Sequence, residues 1–163
     1  HDESPMPVYA STETLSILTH AFAYIFQQPD FIGGGIPVLD LRELSSPTSI
    51  HGVDVTQVPV VHGPLNGCLG FRLGNVAYLP DVHSIPETSL TLLSGLDLLI
   101  INCLRQKPHS SHLSLAESLY YAGLLQPKQV LLTHMTHDID YEREEPALPA
   151  NVRFAYDGLR VQV

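Results

Sequence analysis

Three positions in this 163-residue sequence place a metal-binding side chain at the end of a strand-like run. His62 follows the β-branched stretch 53–61 and precedes Gly63-Pro64, Asp81 closes Ala77-Tyr78-Leu79-Pro80, and His134 closes the apolar run 130–133. Strand ends are rigid mounts, and the loops beyond them can surround a substrate. Imidazole and carboxylate donors suit zinc, manganese or iron(II) rather than calcium, and the lack of nearby thiolates argues against a closed structural zinc site. A carboxylate can bridge two such ions, whose bound water is deprotonated near neutral pH. His109 and His112, in Lys107-Pro108-His109-Ser110-Ser111-His112, follow another apolar run and face the same rim as His134. An imidazole there can protonate a leaving oxygen. Against this stands the ordinary reading: a lone strand-end histidine is more often a hydrogen-bonded surface or core residue, and spacing alone does not make His62, Asp81 and His134 converge.

Other motifs are weaker. Gly33-Gly34-Gly35 lacks a following Gly-Lys-Ser/Thr and reads as a loop rather than a phosphate cradle. No Gly-x-Ser-x-Gly occurs, so a serine-hydrolase elbow has no support. His20 and His51 have no evident chemical role, and 142–145 (Glu-Arg-Glu-Glu) reads as a solvated face.

The elements that must carry these residues follow from periodicity. A short strand at 7–10 precedes a helix capped by Ser11 or Thr12 and running to about Gln27, with Leu15, Leu18, Phe22 and Phe26 on one face. A loop spans 29–37 and a strand 38–41. The runs 69–73 and 76–79 flank Gly74-Asn75, a two-residue hairpin signal. Next come a helix at 86–93, a buried strand at 96–101, and a helix at 114–125 opened by the capping box Ser114/Glu117. A buried strand at 130–133 and two tail strands around Asp157-Gly158 complete the pattern. Hairpins first and βαβ units later predict an α/β sandwich of mixed sheets in a single domain over 1–163, or part of one.

Composition narrows the function. With 17 Asp+Glu against 8 Lys+Arg the formal charge is −9, which argues against a broad nucleic-acid-binding face. Arg72, Arg105 and Lys107 are the local cations available to an anion near the candidate chemistry. Cys68 and Cys103 lack metal or disulfide spacing and read as buried thiols of a reducing compartment, so a cytoplasmic location is expected. No apolar stretch is long enough to span a bilayer, and no signal peptide is visible.

In this order, the residues resemble the metallo-β-lactamase-fold hydrolases, in particular the branch with the phosphoribosyl cyclic phosphate phosphodiesterase of phosphonate breakdown. The likeness runs from about Pro7 to the end. It is strongest in Gly70-Phe71-Arg72 through Tyr78-Leu79-Pro80-Asp81, in 108–112, in Leu132-Thr133-His134-Met135-Thr136-His137-Asp138, and in Ala155-Tyr156-Asp157-Gly158. It implies an αββα sandwich and two divalent ions, zinc or manganese. His62 is then on the first metal, Asp81 bridges and His134 is on the second. His112 assists catalysis, while His137, His109 and Arg72 are placed to contact a small phosphodiester substrate. Thioester or lactone hydrolysis uses the same metal-bound hydroxide, and a non-catalytic binding or assembly module of the same fold is the alternative from another class.

One departure from the family pattern is marked. Its HxHxDH signature, which supplies most ligands, is absent from these 163 residues. The resemblance therefore implies the carboxy-terminal two-thirds of such an enzyme, with two protein ligands per metal where a catalytic zinc usually has three. Weak metal binding, little turnover by the isolated chain, and homo-oligomers or association with the remaining segment are expected.

Overall fold

The computed structural model describes residues 4–26, 36–45 and 47–163. The chain divides into two compact units, His1–Thr48 and Ser49–Val163. In the first, strands β1 (Met6–Ala10) and β2 (Leu39–Glu43) pair in parallel, Met6 opposite Leu39 and Ala10 opposite Glu43. Helix α1 (Thr12–Ala21) is capped by Ser11, whose Oγ accepts the Thr14 N–H at 3.2 Å. The helix expected to reach Gln27 stops at Ala21. Phe22 leaves the helical conformation at φ −116°, ψ 39°, and a separate turn, α2 (Ala23–Phe26), follows. Phe22, Tyr24, Ile25 and Phe26 are aromatic or β-branched, residues that lose rotamer freedom in a helix. Most of the expected 29–37 loop lies outside the described residues.

The second unit is built on a seven-stranded sheet in sequential order: β3 (Thr48–Ile50), β4 (Val53–Pro59), β5 (Leu69–Leu73), β6 (Val76–Leu79), β7 (Leu98–Asn102), β8 (Gln129–Thr133) and β9 (Val152–Phe154). β4, β5 and β6 are antiparallel, whereas β6 through β9 run parallel. The sheet is therefore mixed, as expected. Gly74, at φ +58°, opens the β5–β6 hairpin, a conformation that costs glycine no steric penalty. The parallel half needs crossovers. The first carries α3 (Glu87–Leu90) and a 3₁₀ turn, the second α4 (Leu115–Leu125), and the third α5 (Tyr141–Glu144).

β7 and β8 are continuous apolar runs because their neighbours bury both faces. Leu99, Ile101, Val130 and Leu132 are all buried, packed with Val58, Leu79, Leu93, Leu113 and Phe154. Cys103 is buried in this core, and burial pushes its thiol up to about 12. Cys68 is only partly covered.

Several local expectations change. The helix expected over 86–93 is one α-turn continued as a 3₁₀ turn. The tail carries one strand, β9, rather than two around Asp157-Gly158. The solvated stretch 142–145 carries a short helix, α5, which was not expected there; Asp140 caps it by accepting the Arg143 N–H at 3.2 Å. β3 is a further strand, turned into β4 by His51 and Gly52, both at positive φ. Among the described residues no helix is long and apolar enough to cross a membrane.

Candidate metal centre

Parallel strands share a direction, so the ends of β6, β7 and β8 open on one rim. Asp81 lies just past β6, His134 just past β8, and the 103–113 loop rises from β7. β4 runs to the same rim and delivers His62. His134 adopts φ +62°, a left-handed conformation uncommon for a side-chain-bearing residue. Such outliers persist only where surrounding structure enforces them.

These loops are braced to one another through the backbone. Val61 exchanges hydrogen bonds with Ser84 and accepts a 2.7 Å bond from the His83 N–H. Leu113 N–H donates to Val82 O at 3.0 Å, and Leu113 O accepts from Leu104 N–H at 2.9 Å. Thr136 N–H in turn donates to Leu104 O at 2.9 Å. The segments bearing His62, Asp81, His112 and His134 thus form one connected frame.

Within it, four side chains meet. Asp81 Oδ1 lies 3.3 Å from His112 Nε2 and 3.4 Å from His134 Nε2, and the two imidazole nitrogens are 3.1 Å apart. His62, Asp81 and His112 also offer ligand atoms within 4.8 Å of one another. Two donors on a tetrahedral ion with bonds of about 2.0–2.1 Å are separated by about 3.3–3.4 Å. The Asp81–His112–His134 triangle has edges of that size, and Asp81 and His112 belong to both triads. The donor set, three imidazoles and a carboxylate without thiolate, fits zinc or manganese. The His112 side chain is 13% exposed, against 47% for His134 and 51% for Asp81. Burial holds the His112 imidazole below its ordinary value; the Asp81 hydrogen bond opposes that shift, and His62 and His134 add to it. Neutral imidazole is the form that binds a cation.

The remaining candidates are placed differently. His109 contacts the group through Ser111 and His112. His137 is 96% exposed and lies 3.7 Å from Asp138, with no contact to the four-residue cluster. Arg72 is not delivered to the cluster: its guanidinium donates to Gly74 O, Leu92 O and Ser94 O at 2.7–2.8 Å. It lies on β5, which runs antiparallel to β4 and β6, and it serves the turns at the far end of the sheet. Arg105 donates to Lys107 O and Pro108 O and so shapes the loop ahead of His109.

Two supporting residues escaped the reading of the sequence. Asn102, fully buried at the end of β7, accepts the Val82 N–H at 3.1 Å and fixes the residue beside Asp81. Ser111 touches three imidazoles. A polar residue closing an apolar strand was the available signal for Asn102; Ser111 offered none.

Comparison with known proteins places the chain among relatives. Residues 1–135 match the family described as a beta-lactamase superfamily domain. The crystal structure of a new diphosphatase from the PhnP family is similar, with a TM-score of 0.83 and 36% identity, over 96% of this chain and 57% of that one. The metallo-beta-lactamase fold protein YhfI from Bacillus subtilis superposes with a TM-score of 0.69 at 16% identity, over 96% of this chain and 65% of that one. An octanoyltransferase from Porphyromonas gingivalis is 29% identical over 158 residues, 94% of this chain but 32% of that protein. The chain thus spans over half of the diphosphatase and about a third of the octanoyltransferase.

Proposed function

The chain belongs to the beta-lactamase superfamily and has the metallo-β-lactamase fold, and from that premise we propose that it carries part of a metal-dependent hydrolase acting on a small phosphodiester or diphosphate. The observation that supports this most directly is the convergence of Asp81 with three imidazoles at ligand spacing. The phosphoryl class draws on the likeness to a diphosphatase.

In this reading His62, Asp81 and His134 are the residues that would hold divalent metal. Bound divalent ions supply a Lewis acid for a phosphoryl oxygen and lower the pKa of water. His112 handles the proton: its Nε2 faces the cluster, takes a proton from the attacking water and returns it to the leaving oxygen. His109 lies close enough to contact the substrate, and His137 reaches it only from the exposed rim. The −9 charge favours a small ester over a long nucleic acid. Further ligands come from outside these residues, either from the rest of the polypeptide or from an associating copy.

Protein that also carries the further ligands, loaded with zinc or manganese, tests the proposal against bis(p-nitrophenyl) phosphate, a cyclic phosphodiester and a nucleoside diphosphate. Hydrolysis of at least one, abolished by Asp81→Ala, is expected. Stoichiometric metal with no phosphoryl turnover would overturn it. A second reading, thioester hydrolysis, is favoured by the likeness to part of an octanoyltransferase; turnover of an octanoyl thioester alone would select it.

A further inference from the structure

A cavity of about 520 Å³ opens where β8 and β9 end, a size within the ~300–1,000 Å³ of small-molecule sites. The two strands are parallel, so Thr133, His134 and Met135 reach the same rim as Ala155, Tyr156 and Asp157. The Ala155 N–H donates to Leu132 O at 2.8 Å and holds the two exits side by side. Tyr141 of α5 completes the wall. Its hydroxyl donates to Ala155 O at 3.1 Å, and its ring meets Phe154 edge-on at 5.3 Å. His134 belongs both to this cavity and to the cluster around Asp81, so the cavity adjoins the metal centre.

The lining selects a chemistry. Among the described residues no lysine or arginine lines the cavity, and the Asp157 carboxylate makes no ion pair or hydrogen bond. A second phosphate or carboxylate on a ligand would meet an uncompensated like charge there. The Tyr141 phenol has committed its proton to Ala155, so its oxygen and the Asp157 carboxylate both present acceptors. Burial first, then the Asp157 charge, raises that phenol above its ordinary value of 10.0, so it stays protonated in this role. The Tyr156 ring is 58% exposed, and no other aromatic ring packs on it among the described residues. An open aromatic face beside acceptors suits an uncharged ring that carries hydroxyl or N–H groups.

We propose that this cavity receives the arm of the substrate that does not react, an uncharged ring with donor groups such as a nucleoside or a sugar. Tyr156 stacks on that ring, and Asp157 accepts its donors and rejects an anionic arm. The inference rests on the phosphoryl-hydrolase reading and narrows it: the phosphoryl group reacts beside His134, while the substrate carries no further negative charge on the arm that extends past Met135.

Metal-loaded protein that also carries the further ligands is assayed on p-nitrophenyl phosphodiesters that differ only in the second arm: methyl, methyl riboside, thymidine, and thymidine bearing a 3′-phosphate. Thymidine should exceed methyl in kcat/KM, and Tyr156→Ala should cut that ratio about tenfold, chiefly through KM, as expected for loss of one stacking partner. The 3′-phosphate should be penalised, and Asp157→Asn should relieve the penalty about fivefold. An advantage kept by the riboside arm assigns the contact to the sugar, and one confined to thymidine assigns it to the base; either supports the site. Equal kcat/KM across the arms, or ratios untouched by both variants, would overturn the proposal and leave the phosphoryl-hydrolase reading intact. Saturation-transfer NMR with thymidine reads the cavity without turnover. Transfer in wild type that is lost in Tyr156→Ala, from a protein that cleaves no phosphoryl ester, would sink the hydrolase reading and keep the site. No transfer in wild type would overturn the site.

Discussion

An alanine-sized side chain at Gly63 would bring its Cβ to 2.8 Å from Ser111 Cβ. The loop that follows β4 and the loop that follows β7 therefore approach as closely as they do only because residue 63 is glycine, at φ +55°. That approach puts the His62 imidazole on the Ser111 carbonyl. Gly63→Ala meets both the clash and a left-handed backbone, so a loss of about 1–3 kcal/mol is expected. Urea unfolding reads the stability. The loss of the His62–Ser111 bond should also lower zinc affinity, and unchanged affinity would show that His62 needs no such support.

Asn102→Ala tests the bracing of Asp81 from below. The Asn102 side-chain oxygen accepts the Val82 N–H inside the core, and its Nδ2 has no partner, so truncation removes one bond and strands one buried donor. A stability loss of about 1–3 kcal/mol is expected from the unsatisfied N–H. Metal affinity should fall with it, because Asp81 is the next residue along the chain. Denaturant unfolding and a chelator titration on the same variant separate the two effects.

How much of this was legible in the sequence depends on the range of the interaction. The β5–β6 hairpin, the Ser114/Glu117 box and the buried β7 and β8 are set by residues within a few positions of one another, and all were readable. Asp140 was an equally local signal for α5, obscured by the charge run that follows it. The strand ends at His62, Asp81 and His134 were readable as ends, but their meeting depends on the parallel register of β6, β7 and β8, which pairs residues about 20 to 30 positions apart. Arg72 shows the opposite failure. A cation near the motifs in sequence was assigned to an anion, whereas strand direction carries it to the other end of the sheet. Ser111 and Asn102 act across 49 and 20 positions; only Asn102 carries a local mark, as a polar residue closing an apolar strand, and its partner is not local.

Arg72→Gln should accordingly separate stability from site chemistry. Its guanidinium ties Gly74, Leu92 and Ser94 together. Hydrogen bonds from a charged group contribute about 1.5–3 kcal/mol each before solvent exposure is taken into account. A lowered melting temperature with unchanged zinc affinity and unchanged KM for a phosphodiester is expected. A raised KM at constant stability would return Arg72 to the substrate.

The helix that follows the His112 loop predicts an acid-sensitive cap. The Ser114 hydroxyl, then its backbone N–H, hold the Glu117 carboxyl below its ordinary value of 4.5. A carboxyl depressed in the folded state contributes stability above its unfolded value and loses it as pH falls through the folded one. Glu117→Gln should therefore be less stable than wild type at pH 7, with the difference closing as pH drops below about 4.5. Thermal unfolding from pH 7 to 3 measures it, and a gap that stays constant with pH would show that the charge of Glu117 is idle.

His112→Ala and Asp81→Ala distinguish holding a metal from moving a proton. Asp81 shares short contacts with two imidazoles and belongs to both donor triads, so its removal should strip metal and activity together. His112 is held from behind by Ser111 and faces the cluster with one nitrogen. If its work is proton transfer, His112→Ala keeps bound metal while kcat falls by about 10²–10⁴-fold, the usual range for one general acid–base group. That fall should be smaller for a substrate with a nitrophenolate leaving group, which departs without a proton, than for an alkyl ester. Loss of metal from His112→Ala, measured by elemental analysis after gel filtration, would instead make His112 a ligand.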